Sequence, residues 1–161
     1  MKKIYLFVLL AIFFASCEHT HEHETPSDDG HNHGDVKIQY TVYSNEFELF
    51  AEADPFVVGE EANVLSHFSH LPEFTALETG SMTIRLIVNG KETKQTLEKA
   101  SRKGIYSFYI EPETEGKGLL KFDIKTEKGE FQLIVKNIVV FNDGHDAIHY
   151  AEDIALAENR F

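Results

Sequence analysis

Cysteine is nearly absent. Cys17 is the single one in 161 residues, so an intramolecular disulfide is excluded and the fold must stand on its core. Tryptophan is missing, there are only four prolines, and basic residues are outnumbered 15 to 27 by acidic ones, for a formal charge of −12. That balance excludes nucleic acid as a partner, because such binding needs neutralised phosphates. It favours cations and solubility instead. Long apolar runs are also scarce. Ile4 to Ala15 is the longest, at twelve uncharged residues, shorter than the roughly 20 a transmembrane helix needs. There is no cysteine nucleophile, no Gly-x-Ser-x-Gly elbow and no glycine-rich phosphate loop leading into a helix. The chain is therefore not predicted to be an enzyme, and no catalytic residue is assigned.

What is present begins with a secretory signal. Lys2 and Lys3 form the positive n-region, and the apolar run closes on Ala15-Ser16-Cys17. Two small residues before a cysteine are the mark of a bacterial lipoprotein signal, with Phe14 standing where leucine is usual. Residues 1–16 are thus expected to be a signal peptide, with Cys17 the lipidated mature N-terminus. The protein is then a membrane-anchored lipoprotein of a Gram-negative periplasm. Removing Lys2 and Lys3 with that segment, which holds no acid, takes the formal charge from −12 to −14. Residues 17–35 carry His19, His21, His23, His31 and His33 among Glu, Asp, Ser, Thr, Gly and Pro26, with no large apolar side chain after Cys17. Such a stretch cannot bury a core and is predicted to be a disordered tether. Imidazole suits zinc, copper, nickel and cobalt. A flexible His-x-His tract can wrap such a divalent or monovalent ion, holding it weakly because nothing fixes the geometry.

From Val36 to Phe141 the pattern has period two. Val36, Ile38, Tyr40 and Val42 alternate with polar residues. Phe47, Leu49, Ala51 and Ala53 follow, then Met82, Ile84, Leu86 and Val88, then Tyr106, Phe108 and Ile110, then Leu120, Phe122 and Ile124, then Phe131, Leu133 and Val135. Each series predicts a half-buried antiparallel strand. Asn89-Gly90 predicts a type I′ hairpin, and Lys128-Gly129 predicts the last hairpin turn. A bulge is expected at Lys136-Asn137, and the run Ile138 to Phe141 predicts burial on both faces. About eight strands without an internal helix predict an all-β domain over 36–141, an antiparallel β-sandwich of immunoglobulin-like type, with a closed barrel as the alternative. Residues 142–161 predict a short helix capped by Asn142 or Asp143, with Asp146 favourable in its first turn. Its apolar stripe, Ile148, Ala151, Ile154 and Ala155, is thin, which predicts a helix that leads toward another domain rather than packing strongly on the sandwich.

Further candidate ligands lie in this folded part. His145 and His149 are spaced i, i+4, with Glu152 a turn beyond and Asp153 within reach. Two imidazoles and a carboxylate can hold zinc or nickel. This is not the zinc-protease pattern, since Asp146 follows His145. His67 and His70 sit three apart on an expected strand, which sends them to opposite faces. A structural role at a sheet edge is expected for His67.

The order of Tyr40-Thr41-Val42-Tyr43-Ser44, Glu48-Leu49-Phe50, Val58-Gly59-Glu60, Ala62 through His67-Phe68-Ser69-His70-Leu71 to Leu77, Gly80 to Val88, Gly104-Ile105-Tyr106 and Gly118 to Ile124 resembles the N-terminal domain of periplasmic adaptor subunits of resistance–nodulation–division (RND) heavy-metal efflux systems. These are membrane fusion proteins, here in the form found in Bacteroidetes. Such adaptors resemble this chain also in opening with a lipoprotein signal and a His-rich tract. The resemblance implies a non-enzymatic, metal-associated domain that captures cations and contacts partners. Those partners would be the RND inner-membrane antiporter and the outer-membrane channel, while the lipid anchor meets the membrane. It also implies a hairpin, lipoyl-like and barrel body C-terminal to residues 142–161. The alternative expectation is a free-standing periplasmic metal-binding lipoprotein, a buffer or chaperone.

Overall fold

A computed structural model describes residues 36–158. The alternation in the sequence becomes ten strands and one helix: β1 Ile38–Tyr43, β2 Phe47–Ala53, β3 Phe56–Val57, β4 Ala62–His70, β5 Thr75–Ala76, β6 Ser81–Val88, β7 Lys91–Leu97, β8 Ile105–Ile110, β9 Gly116–Thr126, β10 Gly129–Phe141 and α1 Gly144–Glu158. One sheet has the order β1-β2-β4-β5, with β8 also paired to β4. The other has the order β3-β10-β9-β6-β7. Two separate sheets make a sandwich and exclude the closed barrel. All pairings are antiparallel but one: β3 runs parallel to β10, Phe56 beside Val140 and Val57 beside Phe141. This departs from the all-antiparallel expectation. It arises because the chain leaves β2 in the first sheet, turns at Asp54-Pro55 and crosses to the edge of the second.

The inward positions are those the alternation marks. Phe47, Leu49, Ala51 and Ala53 of β2 face Met82, Ile84, Leu86 and Val88 of β6 and Leu120, Phe122 and Ile124 of β9, all buried. Aromatic rings join the two sheets. Phe68 meets Tyr106 and Phe122 edge-on at 5.7 Å each, and Tyr106 donates its hydroxyl to the carbonyl of Gly80 at 2.9 Å. Edge-to-face pairs add to the burial of the rings themselves. Gly118 of β9 pairs with Val88 of β6; a Cβ there would stand 2.3 Å from the Ile87 carbonyl oxygen, so only glycine fits.

The turns follow their residues. Asn89 and Gly90 both have positive φ, 48° and 79°, as a type I′ turn requires. The last hairpin is centred one residue earlier than expected, on Glu127 and Lys128, because Gly129 already pairs with Thr126. The register slips between Lys136 and Ile138, with Asn137 at φ 63°, which is the expected bulge. Strand β7 escaped the alternation because it is a polar edge: Lys91, Glu92 and Lys94 are exposed, a common way of blunting an edge.

Helix α1 corrects one expectation. It packs on β1, β3 and β10, with Ala147 and Ala151 fully enclosed and Tyr150 5.3 Å from Phe141. The expected stripe omitted Ala147, and small residues are what let the helix axis come close to the sandwich. Ile148 and Ile154 are only half-buried. In the run Ile138–Phe141, Ile138 and Val140 are buried but Val139 and Phe141 only half-buried, so the expected burial on both faces is corrected: the helix covers the second face only in part.

Candidate metal centre

Asp143 starts the site. Its Oδ1 accepts the backbone N–H groups of His145 at 2.9 Å and Asp146 at 3.2 Å, and its carbonyl accepts from Ala147 at 3.2 Å. This is an N-cap satisfying two otherwise orphaned donors. Asn142, just before it, donates its side-chain amide to the Glu115 carboxylate of the β8–β9 connection. The start of the helix is thereby tied to the sandwich at the end of β10.

From that cap the helix places its donors. Asp143, His145 and Asp146 are exposed, and each offers a ligand atom within 4.8 Å of the other two. This group can hold a metal ion. His145 and His149, one turn apart, bring their Nε2 atoms to 3.1 Å, with ring centroids 4.3 Å apart and nearly perpendicular planes. Glu152 Oε2 lies 3.2 Å from Nδ1 of His149. It therefore sits at the far nitrogen of that ring, not beside the Nε2 pair, and this corrects the expectation of Glu152 as a third ligand in common with the two histidines. The spacing i, i+3 turns Glu152 back onto the ring next to it. Asp153 belongs to neither arrangement. Sequence reasoning assigned Asp143 and Asp146 to helix capping and the helix dipole alone; their placement at two and one residues around His145 was the signal for the ligand group. Helix α1 has Asp146, Glu152, Asp153 and Glu158 and no Lys or Arg, so its field favours cations.

The remaining candidates lie elsewhere. Cys17, His19, His21, His23, His31 and His33 are outside the described residues. His67 lies on β4 opposite Phe50 of β2 and Ile105 of β8, and its ring is 5.8 Å from that of Phe50. Strand β4 is interior to its sheet, so the expected sheet-edge role is corrected: two partner strands flank it. The ring of His70 lies 4.8 Å from that of Phe47, tilted by 38°. The strand runs through both histidines, which keeps them on opposite faces as expected. A groove of about 460 Å³ on β6, β9 and β10, with no lining residue on α1, is bounded by Thr83, Arg85, Asp123, Lys125 and Gln132 among others. Its charges are matched: Arg85 Nε donates to Asp123 and Nη1 to Glu92, each at 2.7 Å. Burial pushes the Asp123 carboxyl up, but the hydrogen bonds from Arg85 and Gln132 and the nearby Lys121 outweigh it and hold the group below its usual range.

Fold and site together define a small two-sheet β-sandwich with an appended acidic helix that carries a carboxylate–imidazole cluster. No helix among the described residues is long and apolar enough to cross a membrane. Neither a family model nor a curated protein matches this chain.

Proposed function

We propose that this protein is a periplasmic, lipid-anchored cation-capture module, the N-terminal metal-associated domain of an adaptor for heavy-metal efflux. The observation that carries the reading is the convergence of the His145 and His149 Nε2 atoms at 3.1 Å on an exposed helix face. Two nitrogens each about 2.0–2.1 Å from one ion and separated by that distance subtend roughly 100° at the ion, a fit for tetrahedral zinc or tetragonal copper and nickel. The cargo is accordingly zinc, copper, nickel or cobalt. The His19–His33 tract supplies most of the binding capacity, and the helix supplies the ordered pair. The order of motifs along the chain supports an RND antiporter and an outer-membrane channel as partners.

Isothermal titration of the full chain with zinc, nickel and copper tests the capture. Replacing all five histidines of the tract by alanine is expected to remove most of the bound metal, and His145→Ala with His149→Ala the remainder. An unchanged isotherm in the combined variant defeats the reading. Co-purification from the native membrane separates the adaptor from the free-standing metal buffer: retention of an antiporter supports the first, and its absence the second.

A further inference from the structure

Two imidazoles one helical turn apart do more than bind, because a ligand shared between them spans the turn. We infer that a divalent first-row ion held by Nε2 of His145 and His149 locks the first turns of α1, with Glu152 as the positioning residue, so that the helix is a cation-dependent clamp. The inference rests on the cation-capture reading above and says what capture does to the chain.

The chemistry of the pair assigns the roles. A carboxylate can only accept, so Glu152 Oε2 at 3.2 Å places the proton of His149 on Nδ1. Nε2 of His149 then faces Nε2 of His145, 3.1 Å away; one of the two carries the proton of that contact, and an ion bound by both takes its place and releases it. A carboxylate behind a histidine fixes the ring's tautomer and orientation and raises its basicity as a ligand. The donors are imidazole nitrogens, which select borderline ions such as zinc, nickel and copper over magnesium and calcium, whose ligands are oxygens.

The helix presents the pair on its exposed side. It opens on Gly144, and a Cβ there would meet open space. A helix of this length is marginal without packing. The packing comes from Ala147 and Ala151 on the opposite side, and the exposed side is held by the Asp143 cap. An ion joining His145 to His149 must lose a ligand before that turn can open. Binding free energy therefore becomes helix stability by linkage.

Amide hydrogen exchange on the full chain, read by mass spectrometry with and without zinc, tests the clamp. The five tract histidines are replaced by alanine in one arm so that the helix alone reports. At zinc ten times above the dissociation constant, linkage predicts about tenfold slower exchange over residues 146–150. Magnesium at the same concentration should leave the rates unchanged, as should zinc added to His149→Ala; slowing in either case overturns the assignment to the imidazole pair. Zinc that binds calorimetrically in the tract-free arm but leaves α1 exchange unchanged overturns the clamp and spares the capture reading. Absence of zinc binding in every arm, wild type included, overturns both. Glu152→Gln should weaken zinc about tenfold and shift the ligand-field spectrum of bound cobalt; an unaltered affinity and spectrum removes Glu152 from its positioning role.

Discussion

Ser66 is fully enclosed on the inner face of β4, across from Ala51 and Tyr106, and its hydroxyl meets no hydrogen-bond partner among the described residues. A buried hydroxyl left unpaired costs about 1–3 kcal/mol. Ser66→Ala keeps the Cβ and removes the orphan oxygen, so the variant is expected to be more stable than the parent by about 1 kcal/mol, read as a higher midpoint in urea with the same slope. A lower midpoint would mean the hydroxyl contributes a bond. The sequence carries no sign of this serine's position beyond its place in the alternation between Val64 and Phe68. Gly118 is similar: its need is set by a backbone oxygen from β6, 31 residues earlier in the chain, that no local pattern announces.

At the scale of the element, α1 depends on its first residue. Asp143 is legible in the sequence as a cap, and the structure gives it both expected donors. Asp143→Ala should cost the helix about 1 kcal/mol, while Asp143→Asn should keep most of the capping because the amide oxygen still accepts. Circular dichroism melting of the two variants side by side checks this; equal loss in both would assign the role of Asp143 to its charge. The docking of the helix was less legible. A stripe centred on Ile148 and Ile154 looks too thin to pack, whereas the buried line is Ala147 and Ala151. Alanines carry little hydropathy signal, and their contribution here is closeness of approach, which only a partner surface reveals.

For the whole molecule, the join between β1 and α1 makes stability depend on alkaline pH. Burial first, and then the charge of Tyr150, push the Tyr40 hydroxyl well above its ordinary value of 10.0, and burial also raises Tyr106. A raised folded-state value means the native protein holds the proton longer than the unfolded chain. Stability is therefore full below about pH 10 and falls as pH rises through the interval up to the folded value, by at most about 1.4 kcal/mol per pH unit for each group. Wild type should lose more melting temperature between pH 9 and pH 11 than Tyr40→Phe does. Equal losses would show that Tyr40 ionises freely in the fold.

One part of the fold follows from period and from local chemistry. The strand faces, the Asn89-Gly90 turn, the bulge at Asn137 and the helix cap are decided by side-chain alternation or by φ preferences within a few residues. The i, i+4 placement of His145 and His149 on one face also follows from helical geometry alone. Other features had to wait for the tertiary structure, because each depends on residues far apart in the chain. The parallel seating of β3 against β10 requires the chain to change sheets. The interior place of β4, which denies His67 a sheet edge, requires β8 to pair with it, Ile105 beside His67 across 38 residues of chain. Glu152 was legible as a carboxylate near two histidines. Its turn onto Nδ1 of His149, away from the Nε2 pair, depends on the side-chain rotamers adopted within the helix, which spacing alone leaves open.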